Sequence, residues 1–76
     1  MKNEIVLDVR ELITPFPILR TEKLLRKMFP GQILCIIASD SNSATEFQSY
    51  CNETGNKLVK CSESDDKYYY RIQKKR

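Results

Sequence analysis

The chain of 76 residues contains no histidine, has two glycines, and has no long run of apolar residues. Without histidine it lacks the commonest metal ligand and the commonest general base. A membrane-spanning helix needs about 18 or more consecutive apolar residues, and no such run occurs. The two glycines do not form the glycine-rich loop that admits a phosphate group. These absences exclude a histidine metal site, a membrane span and a phosphate-binding loop.

Cysteine is also scarce. Cys35, Cys51 and Cys61 are an odd number with no closely spaced pair, so neither a disulfide framework nor a zinc site is expected. In the first twelve residues apolar and polar side chains partly alternate, and acidic residues occur early. This pattern does not fit a secretory signal. We therefore expect a reduced, cytoplasmic protein without a metal or a cofactor.

A length of 76 residues is enough for one small domain, which we expect to span residues 1–76. A domain of this size buries only roughly 60% of the surface that its unfolded chain exposes, so its core is small. Apolar periodicity and turn residues predict six elements: a strand over 4–9, a helix over 15–28, a strand over 33–38, a helix over 43–54, and a hairpin of strands 57–61 and 68–73 around the turn 62–66. Because helices alternate with strands and there is one sheet to cover, a two-layer α/β (α+β) sandwich of order βαβαββ is predicted, with both helices on one sheet face.

The ends of both helices have recognisable signals. Pro15 suits the first position of the first helix, and Thr14 before it is a predicted N-cap. Ser43 and Glu46 have the spacing of a capping box for the second helix. Gly55 is predicted to end that helix.

The first helix has two contrasting faces. A stripe about 120° wide is predicted to face the core, and it carries Ile18, Thr21, Leu24, Leu25 and Met28. The opposite side collects the cations Arg20, Lys23, Arg26 and Lys27 with two apolar side chains among them, which predicts a protein-docking surface. We call this surface the basic helix face and assign to it Phe16, Leu19, Arg20, Lys23 and Lys27. The alternative is an ordinary solvated face, because single exposed apolar residues are normal.

The cysteines do not offer an obvious nucleophile. Cys35 lies in an apolar strand and Cys51 in the apolar stripe of the second helix, so both are predicted to be small buried hydrophobes. Cys61, at the end of a hairpin strand, is the remaining candidate for a reactive thiol.

The tyrosine-rich strand near the end of the chain raises the possibility of a nucleic-acid interface. Tyr68, Tyr69, Tyr70 and Arg71 could offer a stacking platform with a basic edge. Alternation, however, places Tyr68 and Tyr70 on one face and Tyr69 on the other. The net charge of +3 is small for a dedicated nucleic-acid binder. A nucleic-acid partner is therefore not expected.

Six short motifs follow one another along the chain: Leu7-Asp8-Val9-Arg10, Thr14-Pro15-Phe16-Pro17, Pro30-Gly31, Tyr50-Cys51, Gly55-Asn56-Lys57-Leu58, and the aromatic strand from Tyr68 to Lys74. In this order and spacing they resemble the TusA/SirA family of small sulfur-carrier proteins. The resemblance implies two helices on a mixed four-stranded sheet, similar to the C-terminal domain of bacterial initiation factor three.

The resemblance also implies a sulfur-carrying activity, but the residue on which that activity depends in the family differs in this sequence. Family members carry sulfur as a persulfide on the cysteine of Cys-Pro-x-Pro and pass it to a partner protein, in thiouridine synthesis or other sulfur-using pathways. Here Thr14, Pro15 and Pro17 occupy that motif, and a threonine hydroxyl cannot hold a transferable sulfur. We therefore predict a non-catalytic member that binds a protein partner, as a monomer rather than an oligomer.

Two alternatives stay open at this point, and with them the question of enzymatic activity. One is an active sulfur carrier that uses another thiol, such as Cys61. The other is a regulatory module that binds nucleic acid or an anion, because a helix N-terminus favours negative charge. By the same reasoning, a Thr14→Cys substitution is expected to create a thiol with a lowered pKa.

Overall fold

The computed structural model describes residues 4–75 and contains four strands and two helices within that range. The elements are β1 (Glu4–Asp8), α1 (Phe16–Leu25), β2 (Ile33–Ala38), α2 (Ser43–Thr54), β3 (Lys57–Ser64) and β4 (Lys67–Gln73). The order βαβαββ is the predicted one. Residues 1–3 and 76, the ends of the predicted domain range, lie outside the described residues.

The four strands form one mixed sheet in the spatial order β1-β2-β4-β3. β2 pairs with β1 in parallel and with β4 in antiparallel orientation, and β3 pairs antiparallel with β4. The apolar run of β2 is thus a central strand with one parallel and one antiparallel neighbour. Near the start of β3 the register shifts between Leu58 and Lys60, so Val59 forms a bulge.

Both helices cover the same face of the sheet. Alternate β2 residues, Leu34, Ile36 and Ala38, are at most 1% exposed. They form one core with residues of both helices and of β4: Leu25, Phe47, Cys51, Tyr70 and Ile72. The ring centroids of Phe47 and Tyr70 are 4.8 Å apart. This arrangement confirms the two-layer sandwich.

The core stripe of α1 is also confirmed, but the helix is shorter than predicted. Thr21, Leu25 and Met28 are buried, and Ile18 and Leu24 pack half-buried against the core. After Leu25 the hydrogen bonds change from i−4 to i−3, with the Met28 N–H donating to the Leu25 carbonyl at 3.1 Å. The chain therefore leaves the α-helix before Met28 while still burying that side chain.

Helix α2 ends as predicted but begins differently. Gly55 follows it in the left-handed conformation, with φ +85°. Asn42, rather than Ser43, is the N-cap, and no side chain caps the helix. The Ser43 hydroxyl instead shares a buried hydrogen bond of 2.7 Å with the Tyr70 hydroxyl. The predicted capping box of Ser43 and Glu46 is wrong, because Ser43 turns inward to satisfy a buried tyrosine.

The β3–β4 hairpin is confirmed with a tighter turn than predicted. β3 ends at Ser64 and β4 begins at Lys67, so only Asp65 and Asp66 lie between the strands. These two residues form the turn, with φ values of +52° and +63°. This is the type I′ geometry that matches strand twist, and aspartate is among the residues that tolerate it. The polar residues 62–64 therefore continue β3 instead of forming a loop.

In the described part of the chain, neither helix has the length and apolar character needed to cross a membrane.

Candidate functional site

Thr14 lies in the loop that leads from β1 to α1, and its polar groups point to the loop after β2. Its backbone N–H donates to Oδ2 of Asp40 at 2.7 Å, and its hydroxyl donates to the same oxygen at 2.8 Å. A carboxylate is a stronger acceptor than a neutral group. The hydroxyl is therefore used as a donor to a charged partner on another loop.

This geometry corrects the predicted start of α1. The N-cap is Pro15, the helix begins at Phe16, and no side chain caps it. Pro17 is the second helical residue and is fully buried, whereas Pro15 is exposed. The predictions that Thr14 caps the helix and that Pro15 is its first residue are both wrong, because Asp40 offers the Thr14 hydroxyl a better partner.

The start of α1 is also poorly suited to bind an anion. The Phe16 N–H donates to the Ile13 carbonyl at 2.9 Å, and Pro17 has no N–H. Two of the first-turn donors on which an anion site depends are therefore missing. The Asp40 carboxylate beside Thr14 adds negative charge to the same region, so the geometry does not favour the anion-binding alternative.

Asp40 is the site residue that sequence analysis missed. Its Oδ1 accepts from the Asn42 N–H at 2.9 Å, while Oδ2 accepts from Thr14. Hydrogen bonds from Asn42 and then from Thr14 hold the pKa of the Asp40 carboxyl below its usual range. The local signal was an aspartate two residues before Asn42, which is typical of an Asx-turn. Nothing local indicated its contact with a residue 26 positions away.

A second link joins the same two loops. The Ser39 hydroxyl donates to the Arg10 carbonyl. Arg10 in turn forms a forked ion pair with Asp8, with the Nε–Oδ1 and Nη2–Oδ2 distances at 2.9 and 2.7 Å. The Arg10 guanidinium holds the pKa of Asp8 below its usual value. The β1–α1 loop is thus fixed from both of its ends.

The basic helix face is exposed in the structure. Phe16 and Leu19 are 54% and 50% exposed, and neighbouring Ile13, absent from the prediction, is 70% exposed. The cations of this face, Arg20, Lys23 and Lys27, are all exposed. Arg26 differs from them because its guanidinium pairs with Glu22 at 2.7 Å. Exposed apolar side chains therefore lie close to Thr14, and exposed cations follow them along α1.

The three cysteines lie elsewhere. Cys51 is buried as predicted, and burial raises the pKa of its thiol. The prediction that Cys35 is a buried core residue is wrong: it is half-buried on the sheet face opposite the helices, where its Sγ donates to Glu4 Oε1 at 3.5 Å. Burial, and then Glu4, raise the pKa of Cys35. Cys61 is exposed on β3, at the sheet edge opposite β1.

The tyrosines follow the predicted alternation. Tyr70 is in the core, Tyr68 packs half-buried beside it, and Tyr69 is 37% exposed on the opposite face. The three rings therefore do not form a shared stacking platform.

Comparison with known protein sequences agrees with the family that the motifs indicate. A family model described as sulfurtransferase TusA matches residues 5–74. The sulfur carrier protein TusA of Allochromatium vinosum is 40% identical over 68 residues, covering 90% of each chain. A putative sulfur carrier protein of Neisseria meningitidis serogroup A is 37% identical over 73 residues, covering 96% of this chain and 99% of its own. The putative sulfur carrier protein YrkI of Bacillus subtilis is 32% identical over 74 residues, covering 97% and 99%. This chain belongs to the TusA family.

Proposed function

We propose that this TusA-family protein works by binding a partner protein next to Thr14, and that it does not carry sulfur at that position. The observation that carries the proposal is the pair of hydrogen bonds from Thr14 to Asp40. They keep the loop ordered with a group that cannot form a persulfide. The surface around the loop remains exposed and suited to binding.

The binding surface has the composition of a protein interface. Its apolar part is Ile13, Phe16 and Leu19, and the exposed cations Arg20, Lys23 and Lys27 continue the same side of α1 toward and beyond its end. Interfaces typically have an apolar core with a polar rim, and complementary charge speeds the encounter. The partner is therefore an acidic surface that presents apolar side chains. A cysteine desulfurase is the partner class to test first, because the relatives are named sulfur carriers.

The second candidate function is sulfur transfer through another thiol. Cys61 supports it, because it is the exposed one of the three free cysteines. Cys35 and Cys51 are poor candidates, since burial disfavours their thiolates. Three free thiols also suit a reducing compartment, and we place the protein in the cytoplasm.

A sulfur-transfer competition distinguishes the two functions. A cysteine desulfurase with radiolabelled cysteine would load a family member that carries Cys-Pro-x-Pro, while this protein is added in increasing amounts. We expect no reducible label on this chain and a dose-dependent loss of label from the other. Phe16→Asp should weaken the inhibition about tenfold or more, as removal of a central apolar anchor does.

The matched control is Phe29→Asp, because Phe29 is also an exposed phenylalanine, at 74%, but lies outside the basic helix face. It should leave the inhibition unchanged. Label on this chain that disappears with Cys61→Ser would establish the sulfur-transfer alternative. Inhibition that is absent, or equally reduced by both phenylalanine substitutions, would contradict docking of a desulfurase at Thr14.

A further inference from the structure

A groove opens at the end of the molecule where α1, α2 and β4 all finish, which is the end opposite Thr14. It lies between the last turns of the two helices and residues 74–75, and we call it the C-terminal groove. Its volume is about 470 Å³, and small-ligand sites usually measure about 300–1,000 Å³. Its lining includes Leu25, a core residue that is 2% exposed. The C-terminal groove is therefore large enough for a small molecule, and the proposed function does not use it.

The charged side chains that line the C-terminal groove all have the same sign. They are Arg26, Lys74 and Lys75, and no carboxylate among residues 4–75 lines the groove with them. Glu22, outside the lining, accepts one hydrogen bond from Arg26 at 2.7 Å. A guanidinium has five N–H donors, and the Arg26 side chain is 75% exposed, so it can still donate to a ligand. The lining therefore favours an anion.

The positive charge continues into a second recess, of about 390 Å³, which shares Lys74 and Lys75 with the C-terminal groove. This recess adds Lys57, at the start of β3, and again no carboxylate of residues 4–75 lines it. The Lys75 stem lies against Gly55, where a Cβ would come within 3.2 Å of the Lys75 Cδ. Glycine at that position therefore leaves room for the lysine between the two recesses.

Neutral donors accompany the cations of the C-terminal groove. Burial, and then Glu22, raise the pKa of Tyr50, so its hydroxyl stays protonated and can donate. The Oδ1 of Asn56 accepts from the Lys75 N–H at 2.9 Å, which leaves the NH2 group of Asn56 to donate. Phosphate oxygens are strong hydrogen-bond acceptors, and a phosphate group carries almost two negative charges at pH 7. The donors and the charges of the groove therefore both match a phosphate group.

Cations are also common near helix C-termini, because they stabilise the helix dipole. Lys74 has this role, since its Nζ donates to the Met28 carbonyl, just after α1, at 2.7 Å. Within residues 4–75, the side chains of Arg26 and Lys75 donate to no helix carbonyl. Direct capping of a helix end therefore accounts for Lys74 alone, and the other two cations remain available to a ligand.

We propose that the C-terminal groove and the adjoining recess bind a small ligand that carries a diphosphate group or two separate phosphates. One phosphate lies in each recess, with Lys75 between them, Arg26 beside the first and Lys57 beside the second. Arginine and lysine are the usual partners of phosphate in proteins. A nucleic-acid strand fits less well, because the net charge of the chain is only +3 and Tyr50, the aromatic residue of the lining, is half-buried.

Titration of the isotope-labelled protein with pyrophosphate, followed by amide chemical shifts at pH 7 and constant ionic strength, tests the site. The shifts should be confined to the lining residues, and pyrophosphate should bind more tightly than inorganic phosphate. Lys75→Glu should raise the pyrophosphate Kd about tenfold or more, because a charge-assisted hydrogen bond is lost. Lys75 is exposed, so the fold should be kept. The matched control is Lys60→Glu, an exposed lysine of β3 that lines neither recess, and it should leave the Kd unchanged.

Each other outcome contradicts the proposal. Equal weakening by Lys75→Glu and Lys60→Glu would indicate attraction to the overall charge of the chain rather than a site. Equal Kd values for pyrophosphate and inorganic phosphate would exclude the second recess from the site. An absence of shifts at millimolar pyrophosphate would exclude a phosphate ligand. Binding of a single-stranded RNA oligonucleotide that Lys75→Glu abolishes, together with no response to pyrophosphate, would assign the groove to nucleic acid.

Discussion

The Asp40 carboxylate accepts two hydrogen bonds from Thr14 and one from Asn42, so three donors converge on a single acidic side chain. At the scale of single residues, this convergence determines the chemistry available at position 14. A hydroxyl can donate to the carboxylate without a change of charge. A thiolate at the same place would face a like charge at hydrogen-bond distance.

The Thr14→Cys variant should therefore have a thiol pKa above the ordinary value of about 8.5. This reverses the expectation from the sequence, because residue 14 is not the N-cap of α1 and lies against Asp40. The measurement is the rate of iodoacetamide alkylation against pH, with the wild-type cysteines subtracted. Adding Asp40→Asn should lower the pKa of the new thiol. A pKa below 8.5 with Asp40 intact would show that the helix dipole outweighs the carboxylate.

At the scale of secondary-structure elements, the buried contact between Ser43 and Tyr70 joins the first residue of α2 to the centre of β4. The two hydroxyls are 2.7 Å apart, and each residue is at most 1% exposed. Burial raises the pKa of Tyr70, so the tyrosine stays neutral and the pair is a hydrogen bond between uncharged groups. It fixes the position of α2 on the sheet more specifically than apolar packing does.

A double-mutant cycle tests that contact. Ser43→Ala and Tyr70→Phe should each lower the free energy of unfolding by about 1–3 kcal/mol, since each leaves a buried hydroxyl without its partner. The double variant should cost less than the sum of the two by about 1 kcal/mol. Urea unfolding gives all four values. Ser49→Ala on the exposed side of α2 is the matched control. Strict additivity would show that the two hydroxyls do not stabilise each other.

At the scale of the whole molecule, Asp40 holds together the two loops that leave the parallel strands β1 and β2. Its pKa is lowered in the folded protein, chiefly by the Asn42 N–H and then by Thr14. A depressed carboxyl pKa means that folding favours the ionised form. The resulting stability is complete above the unfolded pKa and is lost as the pH falls through the folded pKa.

The Asp40→Asn variant should accordingly be less stable than the wild type at pH 7, and the difference should shrink as the pH falls toward 2. The loss at pH 7 should be about 1 kcal/mol, because the carboxylate is solvent-accessible and its interactions are screened. Urea unfolding at several pH values between 7 and 2 would show the wild-type advantage begin to decrease once the pH falls below about 4. Asp66→Asn in the hairpin turn serves as the control. An advantage that is undiminished at pH 2 would mean that the Asp40 charge is not its source.

The structural features that were predicted correctly from the sequence are those determined by a repeating pattern of residues or by neighbouring residues. The alternation of β1 and β4, the apolar run of β2 and the stripe of α1 each repeat a pattern over several residues. Thr14 and Ser43 were assigned wrongly because each matched a local capping rule and had a stronger partner far away. Those partners, Asp40 and Tyr70, lie 26 and 27 positions distant. Such contacts exist only once the sheet has assembled, so no local rule contains them.

The bulge at Val59 has a consequence for aggregation. A four-stranded open sheet has two unpaired edges, and within residues 4–75 β3 is the longer of them, with eight residues against five in β1. A long straight edge is a template on which strands of other molecules can add without limit. Val59 interrupts the β3 ladder near its start, and the lysines at 57 and 60 lie on either side of it. The irregularity therefore disfavours the addition of strands from other molecules at the β3 edge, which is the longer of the two described edges.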